Sequence, residues 1–141
     1  MRTLSPRDTA RAMSRENVEI VRELYESTGS EFFELLDPHV VWINYASAPE
    51  NKPYIGHEGV REWAKGFRAT FGDYEIHATE IIDAGGDQVV AVGRVTGAGT
   101  ASGVPIEREV TSVYTLVKGR IVKGQGFETR AEALEAAGLT E

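Results

Sequence analysis

The first third of the chain repeats apolar residues with the period of a helix. These residues lie three or four positions apart along one helical face, and they are Val18, Val21, Leu24 and Tyr25. Ser14 suits the N-cap of this helix, and Gly29 suits its end. A second, short helix is predicted over 30–36. It ends at Asp37-Pro38, because a residue that precedes proline is pushed out of the helical region.

The stretch 37–67 is predicted to form a strand, a long loop and a helix. Alternation places the strand at 40–45, glycine and prolines mark the loop at 46–56, and the helix follows over 57–69. This stretch concentrates aromatic side chains with a polar tip, which are Trp42, Tyr45, Tyr54 and Trp63. So much aromatic surface in one strand-loop-helix unit predicts one wall of an apolar pocket.

After Gly72 the apolar period changes from that of a helix to that of a strand. Four strands are predicted, at 74–84, 88–97, 106–117 and 121–128. A last helix over 130–137 follows, because Thr129 and Glu132 form a capping box and Gly138 suits the C-terminal cap. Helices first and then a meander of strands predict an α+β domain with helices on one face of a curved sheet.

The size of the chain favours one domain. Its 141 residues fit a single domain, which we place at 14–139, with residues 1–13 as an N-terminal extension. The chain has no cysteine, which excludes disulfides, thiolate nucleophiles and cysteine-ligated metals. Its three histidines do not have the spacing of metal ligands. We therefore expect neither a metal nor a cofactor.

The charge of the chain limits its partners. The formal net charge is −7, and no run of basic residues is present, so nucleic acids and anionic membranes are poor partners. No apolar run is long enough to span a membrane, and no apolar segment follows the arginine-rich start, as a secretory signal would require. We expect a cytoplasmic protein.

The order of elements and several segments resemble the SnoaL-like branch of the nuclear-transport-factor-2-like superfamily. The resemblance is carried by SRENVEIVRELYE at 14–26, DPHVVW at 37–42, GHEGVREW at 56–63, DQVVAVGRVTGAG at 87–99, VKGRIVKG at 117–124 and TRAEALEAAGL at 129–139. It implies a cone-shaped, curved antiparallel sheet with N-terminal helices on its concave face, an apolar pocket between them, and a dimer. The superfamily contains polyketide cyclases, isomerases, hydrolases, dehydratases and binding proteins, so the fold leaves the function open.

The resemblance gives no complete catalytic set. Ketosteroid isomerases use a first-helix tyrosine, near whose place Tyr25 stands, but their aspartate base has no counterpart in the segment 42–45. Limonene-epoxide hydrolase has an asparagine and an arginine that match Asn44 and Arg94, and Trp42 stands where that enzyme has a tyrosine. Its two aspartates are replaced by Thr96 and Gly126. The acid of the SnoaL-type cyclases is also absent, at 124–126.

Several candidates keep alternative interpretations. Arg94 interrupts an apolar strand, so it either anchors a ligand or pairs with a glutamate of a neighbouring strand. Glu128 either supplies the missing acid or lies in solvent at the strand end. The same two interpretations apply to Glu80 and Glu109. Gly124 and Gly126 either leave space for a ligand or mark a bulge or a close helix contact.

These observations predict a protein that binds a small hydrophobic molecule in the pocket of the cone. The candidate pocket residues are Tyr25, Trp42, Asn44, Tyr45, Tyr54, Trp63, Arg94 and Glu128. One interpretation is an enzyme of the hydrolase, isomerase or cyclase type that acts on a hydrophobic, oxygenated substrate. The alternative is a non-catalytic dimeric module with a vestigial pocket. Strands with apolar residues at both parities also predict a homodimer through the outer face of the sheet.

Overall fold

The computed structural model describes residues 5–44, 52–98 and 103–139. Four helices and six strands follow one another as α1 Pro6–Glu26, α2 Ser30–Glu34, β1 Leu36–Ile43, β2 Tyr54–Ile55, α3 Gly56–Phe71, β3 Glu75–Asp83, β4 Gln88–Ala98, β5 Pro105–Val117, β6 Arg120–Phe127 and α4 Arg130–Ala136. Within these ranges, no helix is long and apolar enough to cross a membrane.

The strands form one curved, open sheet in the order β2-β1-β6-β5-β4-β3. The predicted α+β class and the predicted meander of the last four strands are confirmed. All neighbouring strands run antiparallel except β1, which runs parallel to β6. This parallel pair joins distant parts of the chain, so the local pattern of residues could not predict it.

One face of the sheet, here called the inner face, is covered by α1, α2 and α3. Its buried residues on β4 and β5 include Val89, Ala91, Tyr114 and Leu116. Val21 and Leu24 of α1 and Val60 of α3 pack in the same cluster. The apolar face that the sequence predicts for the first helix is therefore the face that α1 buries.

The opposite face, here called the outer face, is partly covered by α4. Val90 and Val113 pack there against Ala133 and Leu134 of that helix. The predicted capping box begins α4, since the backbone N–H of Glu132 donates to Thr129 Oγ1 at 3.2 Å. Apolar residues at both parities of β4 are thus explained in part by helices of the same chain, one set on each face.

The starts of α1 and β1 differ from the prediction, α2 ends earlier than the predicted 30–36, and β2 lies in the predicted loop 46–56. Helix α1 begins at Pro6 instead of after Ser14, since proline fits the first turn of a helix. Strand β1 begins at Leu36, before Pro38. The prediction that Asp37-Pro38 separates helix from strand is wrong, because proline and the residue before it both accept extended backbone. The register with β6 shifts between Leu36 and Val41, so the missing N–H of Pro38 lies at an irregular part of the ladder.

Candidate functional site

A cavity of about 620 Å³ lies between the inner face and helices α1, α2 and α3. This volume is within the range of protein sites for small molecules. Its wall is mostly apolar, and its aromatic side chains are Phe32, Phe33, Trp42, Trp63, Phe67, Tyr74 and, at the sheet, Tyr25 and Tyr114. The side chains of the described residues therefore leave space between the sheet and the helices.

Trp42 joins the aromatic wall to the sheet. Its ring centroid lies 6.2 Å from that of Phe32, 5.4 Å from Trp63 and 5.9 Å from Tyr114. Trp42 faces Gly124 in the pairing of β1 with β6. A Cβ atom at Gly124 would lie 2.9 Å from the Trp42 ring, so the absent side chain lets the indole lie against β6. The space beside Gly124 is therefore occupied by the Trp42 ring of the neighbouring strand, which is neither a bulge nor a contact with a helix.

Three hydroxyl groups meet at the sheet side of the cavity, and we call them the hydroxyl cluster: Tyr25, Ser112 and Tyr114. The hydroxyl oxygens of Tyr25 and Tyr114 are 2.9 Å apart. Ser112 and Tyr114 alternate on the inner face of β5, and both line the cavity. Gly93 lies beside them on β4, where a Cβ atom would be 3.3 Å from the Tyr25 ring. A ligand that enters the cavity thus meets polar hydrogens at this point.

The tyrosines of the hydroxyl cluster stay protonated at neutral pH. Burial raises the pKa of Tyr25 above its usual value of 10.0, although hydrogen bonds to Tyr114 and Ser112 oppose the shift. Burial, and then the neighbouring Tyr25, raise the pKa of Tyr114 well above the same value. These hydroxyls can therefore donate hydrogen bonds to a carbonyl or phenolic oxygen, but they are poor proton acceptors.

Asn44, just after β1, forms a polar contact with α3. Its side-chain Oδ1 accepts a hydrogen bond from Trp63 Nε1 at 3.1 Å, and both residues line the cavity. This bond gives the indole N–H a partner and fixes the orientation of the Trp63 ring. Asn44 therefore holds the aromatic wall in place.

The rim of the cavity carries charged residues from α3 and β3. Arg68, Glu75 and His77 are exposed residues of its lining. The side chain of Ile76 points to the inner face, since it lies 3.6 Å from the Cβ position of Gly93. Side chains alternate along a strand, so those of Glu75 and His77 point to the outer face, where they contact each other at 3.3 Å. Of the three charged residues at the described rim, Arg68 is the one whose side chain does not point to the outer face.

Four of the candidate pocket residues line this cavity, and their role in binding remains a prediction: Tyr25, Trp42, Asn44 and Trp63. Tyr45 lies outside the described residues. Tyr54 is a buried core residue on β2 and is not part of the wall. The sequence placed it there because it closes a long loop, but it pairs with Trp42 across β1 and β2 instead.

Arg94 and Glu128 lie outside the cavity, contrary to the expectation from sequence. Arg94 points to the outer face, where it is exposed and forms an ion pair with Glu107. Of the two interpretations of Arg94, the salt bridge with a neighbouring strand is the one observed. Glu128 is exposed just after β6. The sequence could not decide which parity of β4 faced inward, because Val89 and Val90 are both fully buried.

The sequence analysis missed Ser112, Tyr114, Gly93 and Arg68 as parts of the site. Ser112 and Tyr114 share a parity with Val110, so their alternation was a usable signal once the inner face of β5 was known. The hydrogen bond between Tyr25 and Tyr114 joins residues 89 positions apart. No local pattern could reveal that contact. Among the described residues, no group of three or more histidines and acidic residues is placed to hold a metal ion.

Comparison with known families identifies the class of protein. The family model of the SnoaL-like domain matches residues 10–124. The chain therefore belongs to the SnoaL-like domain family. The match begins within the segment 1–13 that we predicted as an extension, while the domain boundary itself remains a prediction. A search of the curated proteins found no match.

Solved structures share the whole fold. A protein from Jannaschia sp. CCS1, assigned to the SnoaL-like polyketide cyclases, superposes with a TM-score of 0.71 at 22% identity, over 97% of this chain and 96% of its own. A nuclear-transport-factor-2-like protein of Burkholderia pseudomallei K96243 superposes with a TM-score of 0.69 at 20% identity, over 85% of this chain and 95% of its own. TerC, crystallised with polyporic acid, superposes with a TM-score of 0.69 at 16% identity, over 87% of this chain and 98% of its own. The predicted nuclear-transport-factor-2-like fold is thus confirmed.

Proposed function

We propose that the protein binds a flat, mostly apolar molecule that carries a carbonyl or hydroxyl oxygen. The observation behind this proposal is an aromatic cavity of about 620 Å³ with the hydroxyl cluster at its sheet side. The aromatic rings favour a planar ring system, because offset and edge-to-face contacts add to the burial of apolar area. The hydroxyl cluster favours a ligand with an oxygen acceptor, because the buried hydroxyl groups can donate a hydrogen bond only to a ligand that carries an acceptor.

A binding role fits the described lining better than proton-transfer catalysis. Hydrolase, isomerase and cyclase reactions need a group that accepts a proton near the reacting atoms. Among the described lining residues, the carboxylate is Glu75 and the imidazole is His77, and both side chains point to the outer face. The hydroxyl cluster donates hydrogen bonds without supplying a base. We therefore favour a ligand-binding protein over an enzyme of those types.

The comparisons support a small molecule as the ligand. TerC, a structural neighbour of this chain, was crystallised with polyporic acid. Another neighbour with a ketosteroid isomerase-like fold was solved in complex with trimethylamine, at 16% identity to this chain. These ligands were found in the neighbouring proteins and not in this chain. We choose polyporic acid as one probe for this chain because of that likeness.

A thermal melting screen tests the proposal. The probes are polyporic acid, hydroxyanthraquinone, the bare hydrocarbon anthracene and an open-chain fatty acid. At about 100 times the dissociation constant, a ligand adds about 2.7 kcal/mol to the free energy of unfolding. For a chain of this length we expect the melting temperature to rise by about 5–10 °C. The oxygenated ring systems should raise it most. No stabilisation by any of the ring systems would refute the proposal.

The homodimer remains a prediction and is part of the proposed function. Its basis is weaker than the sequence indicated, because α4 already covers Val90 and Val113 on the outer face. The rest of that face carries Arg94, Glu107 and the contact of Glu75 with His77. We expect light scattering at micromolar concentration to give twice the mass of the chain. The mass of a single chain would contradict the prediction.

A further inference from the structure

The basic residues of α3 lie along one side of the helix, and one of them, Arg68, lines the cavity. Arg61, Lys65 and Arg68 are spaced by four and three residues, which places them on one side of the helix. They stand out in a chain whose formal net charge is −7. The helix also carries two glutamates: Glu58 continues the same row, three residues before Arg61, and Glu62 pairs with Lys52.

The three basic side chains differ in what they contact. The guanidinium carbon of Arg61 lies 4.4 Å from the centre of the Phe33 ring, so this cation stacks on the outside of the aromatic wall. Lys65 is exposed and is not a lining residue. Arg68 lines the cavity, and none of the ion pairs among the described residues includes it. Arg68 thus brings to the mouth a positive charge that has no carboxylate partner among the described residues.

Two aromatic residues of the cavity wall, Phe67 and Tyr74, lie beside Arg68. Phe67, its neighbour on α3, packs edge-on against Tyr74 with ring centroids 4.6 Å apart. Burial raises the pKa of Tyr74 above its usual value, and the positive charge of Arg68 opposes this shift, so the two side chains lie close together. Glu75 and His77 contact each other on the outer face, and therefore Glu75 does not neutralise Arg68.

We propose that Arg68 recognises a carboxylate or another anionic group at the outer end of the ligand. This inference rests on the proposed function, and it makes the ligand a flat molecule with two polar ends. The inner end carries an oxygen that faces the hydroxyl cluster, and the outer end carries the negative charge. Guanidinium groups suit this task, because their fork of donors matches the geometry of a carboxylate.

The test compares an anthracene carboxylate with the corresponding carboxamide, which differs in charge and hardly in shape. Affinities are measured by calorimetry for the wild type, Arg68→Gln and Lys65→Gln. For an exposed ion pair we expect Arg68→Gln to weaken carboxylate binding about fivefold and to leave carboxamide binding unchanged. Lys65→Gln should change either affinity less than twofold. Added salt should reduce the preference of the wild type for the carboxylate.

The outcomes separate this inference from the proposed function. Equal affinity of the wild type for the two probes, or an equal loss of both in Arg68→Gln, would overturn the role of Arg68 while the cavity still binds. If Lys65→Gln lost as much carboxylate affinity as Arg68→Gln, the effect would come from the overall charge of the protein. That result would also overturn the role of Arg68. Failure of both probes to bind any of the proteins would overturn the proposed function together with this inference.

Discussion

Replacement of Gly124 by alanine is expected to lower both the stability of the protein and its affinity for ligands. The added Cβ would lie 2.9 Å from two atoms of the Trp42 ring and 3.2 Å from the Tyr114 ring. Trp42 also packs against Phe32 and Trp63, so its ring must tilt into the cavity. Overpacking of this kind costs about 1–3 kcal/mol. A comparable loss in binding corresponds to a tenfold or greater loss of affinity.

Two further variants make this prediction specific. Gly66→Ala is the matched control, because Gly66 is exposed on α3 with no atom within 4 Å of its Cβ position. It should raise the stability by about 0.5–1 kcal/mol, since alanine favours a helix interior. In the double variant Gly124→Ala with Trp42→Phe, the smaller ring should recover part of the loss. Wild-type melting temperature and affinity in Gly124→Ala would refute the steric role of Gly124.

Removal of the Tyr114 hydroxyl is expected to weaken the binding of oxygenated ligands. Tyr114→Phe keeps the ring but removes an oxygen that contacts Tyr25 at 2.9 Å. The loss of this hydrogen bond should lower the free energy of unfolding by about 0.5–1.5 kcal/mol, since Ser112 still offers Tyr25 a partner. The affinity for hydroxyanthraquinone should fall about tenfold, whereas that for anthracene should not change. An equal loss for both ligands would contradict a role of the hydroxyl in recognition.

The same pair of tyrosines should make the protein less stable at alkaline pH. Both pKa values are raised in the folded state, above the value of 10.0 that we take for the unfolded chain. Above about pH 10 the unfolded chain therefore releases these protons while the folded chain retains them, and the free energy of unfolding falls as the pH rises. The stabilising contribution is complete below that pH.

Urea unfolding between pH 8 and pH 11 measures this effect. The double variant Tyr25→Phe with Tyr114→Phe should lose less stability over this range than the wild type. Comparison of the two proteins cancels the titration of lysines and of Tyr74, which both share. The loss of both hydroxyls should also cost less at pH 8 than the sum of the single changes, since each single change already removes the bond between the two tyrosines. An identical pH dependence in the two proteins would contradict the burial of this pair.

Local signals in the sequence were sufficient to predict the class of fold. The capping box depends only on Thr129 and Glu132, which are close in sequence. The structure contains the predicted hydrogen bond from the Glu132 backbone N–H to Thr129 Oγ1. The face of α1 with Val21 and Leu24 follows from helical spacing, and both residues are buried. Such features depend on a few positions in one segment, which is why they survive in the folded chain.

The site was only partly predictable, because it depends on which face of each strand points inward. Trp42 and Asn44 lie in a segment where aromatic residues and a long loop coincide, and they line the cavity. Arg94 was misplaced because β4 is apolar on both faces, and the cover of its outer face comes from α4, far along the chain. The contact of Tyr25 with Tyr114 depends on the pairing of whole elements, which no single segment encodes.

An NMR titration tests the central claim most directly. The chain has two tryptophans, and both line the cavity, so their two indole N–H resonances report its occupation. Addition of hydroxyanthraquinone should shift both indole resonances and the backbone amides of Gly93 and Gly124. The amides of Gly66 and Gly138, which lie away from the cavity wall, should not shift. Binding that shifts residues of the outer face and leaves both indole resonances in place would contradict the claim that this cavity is the binding site.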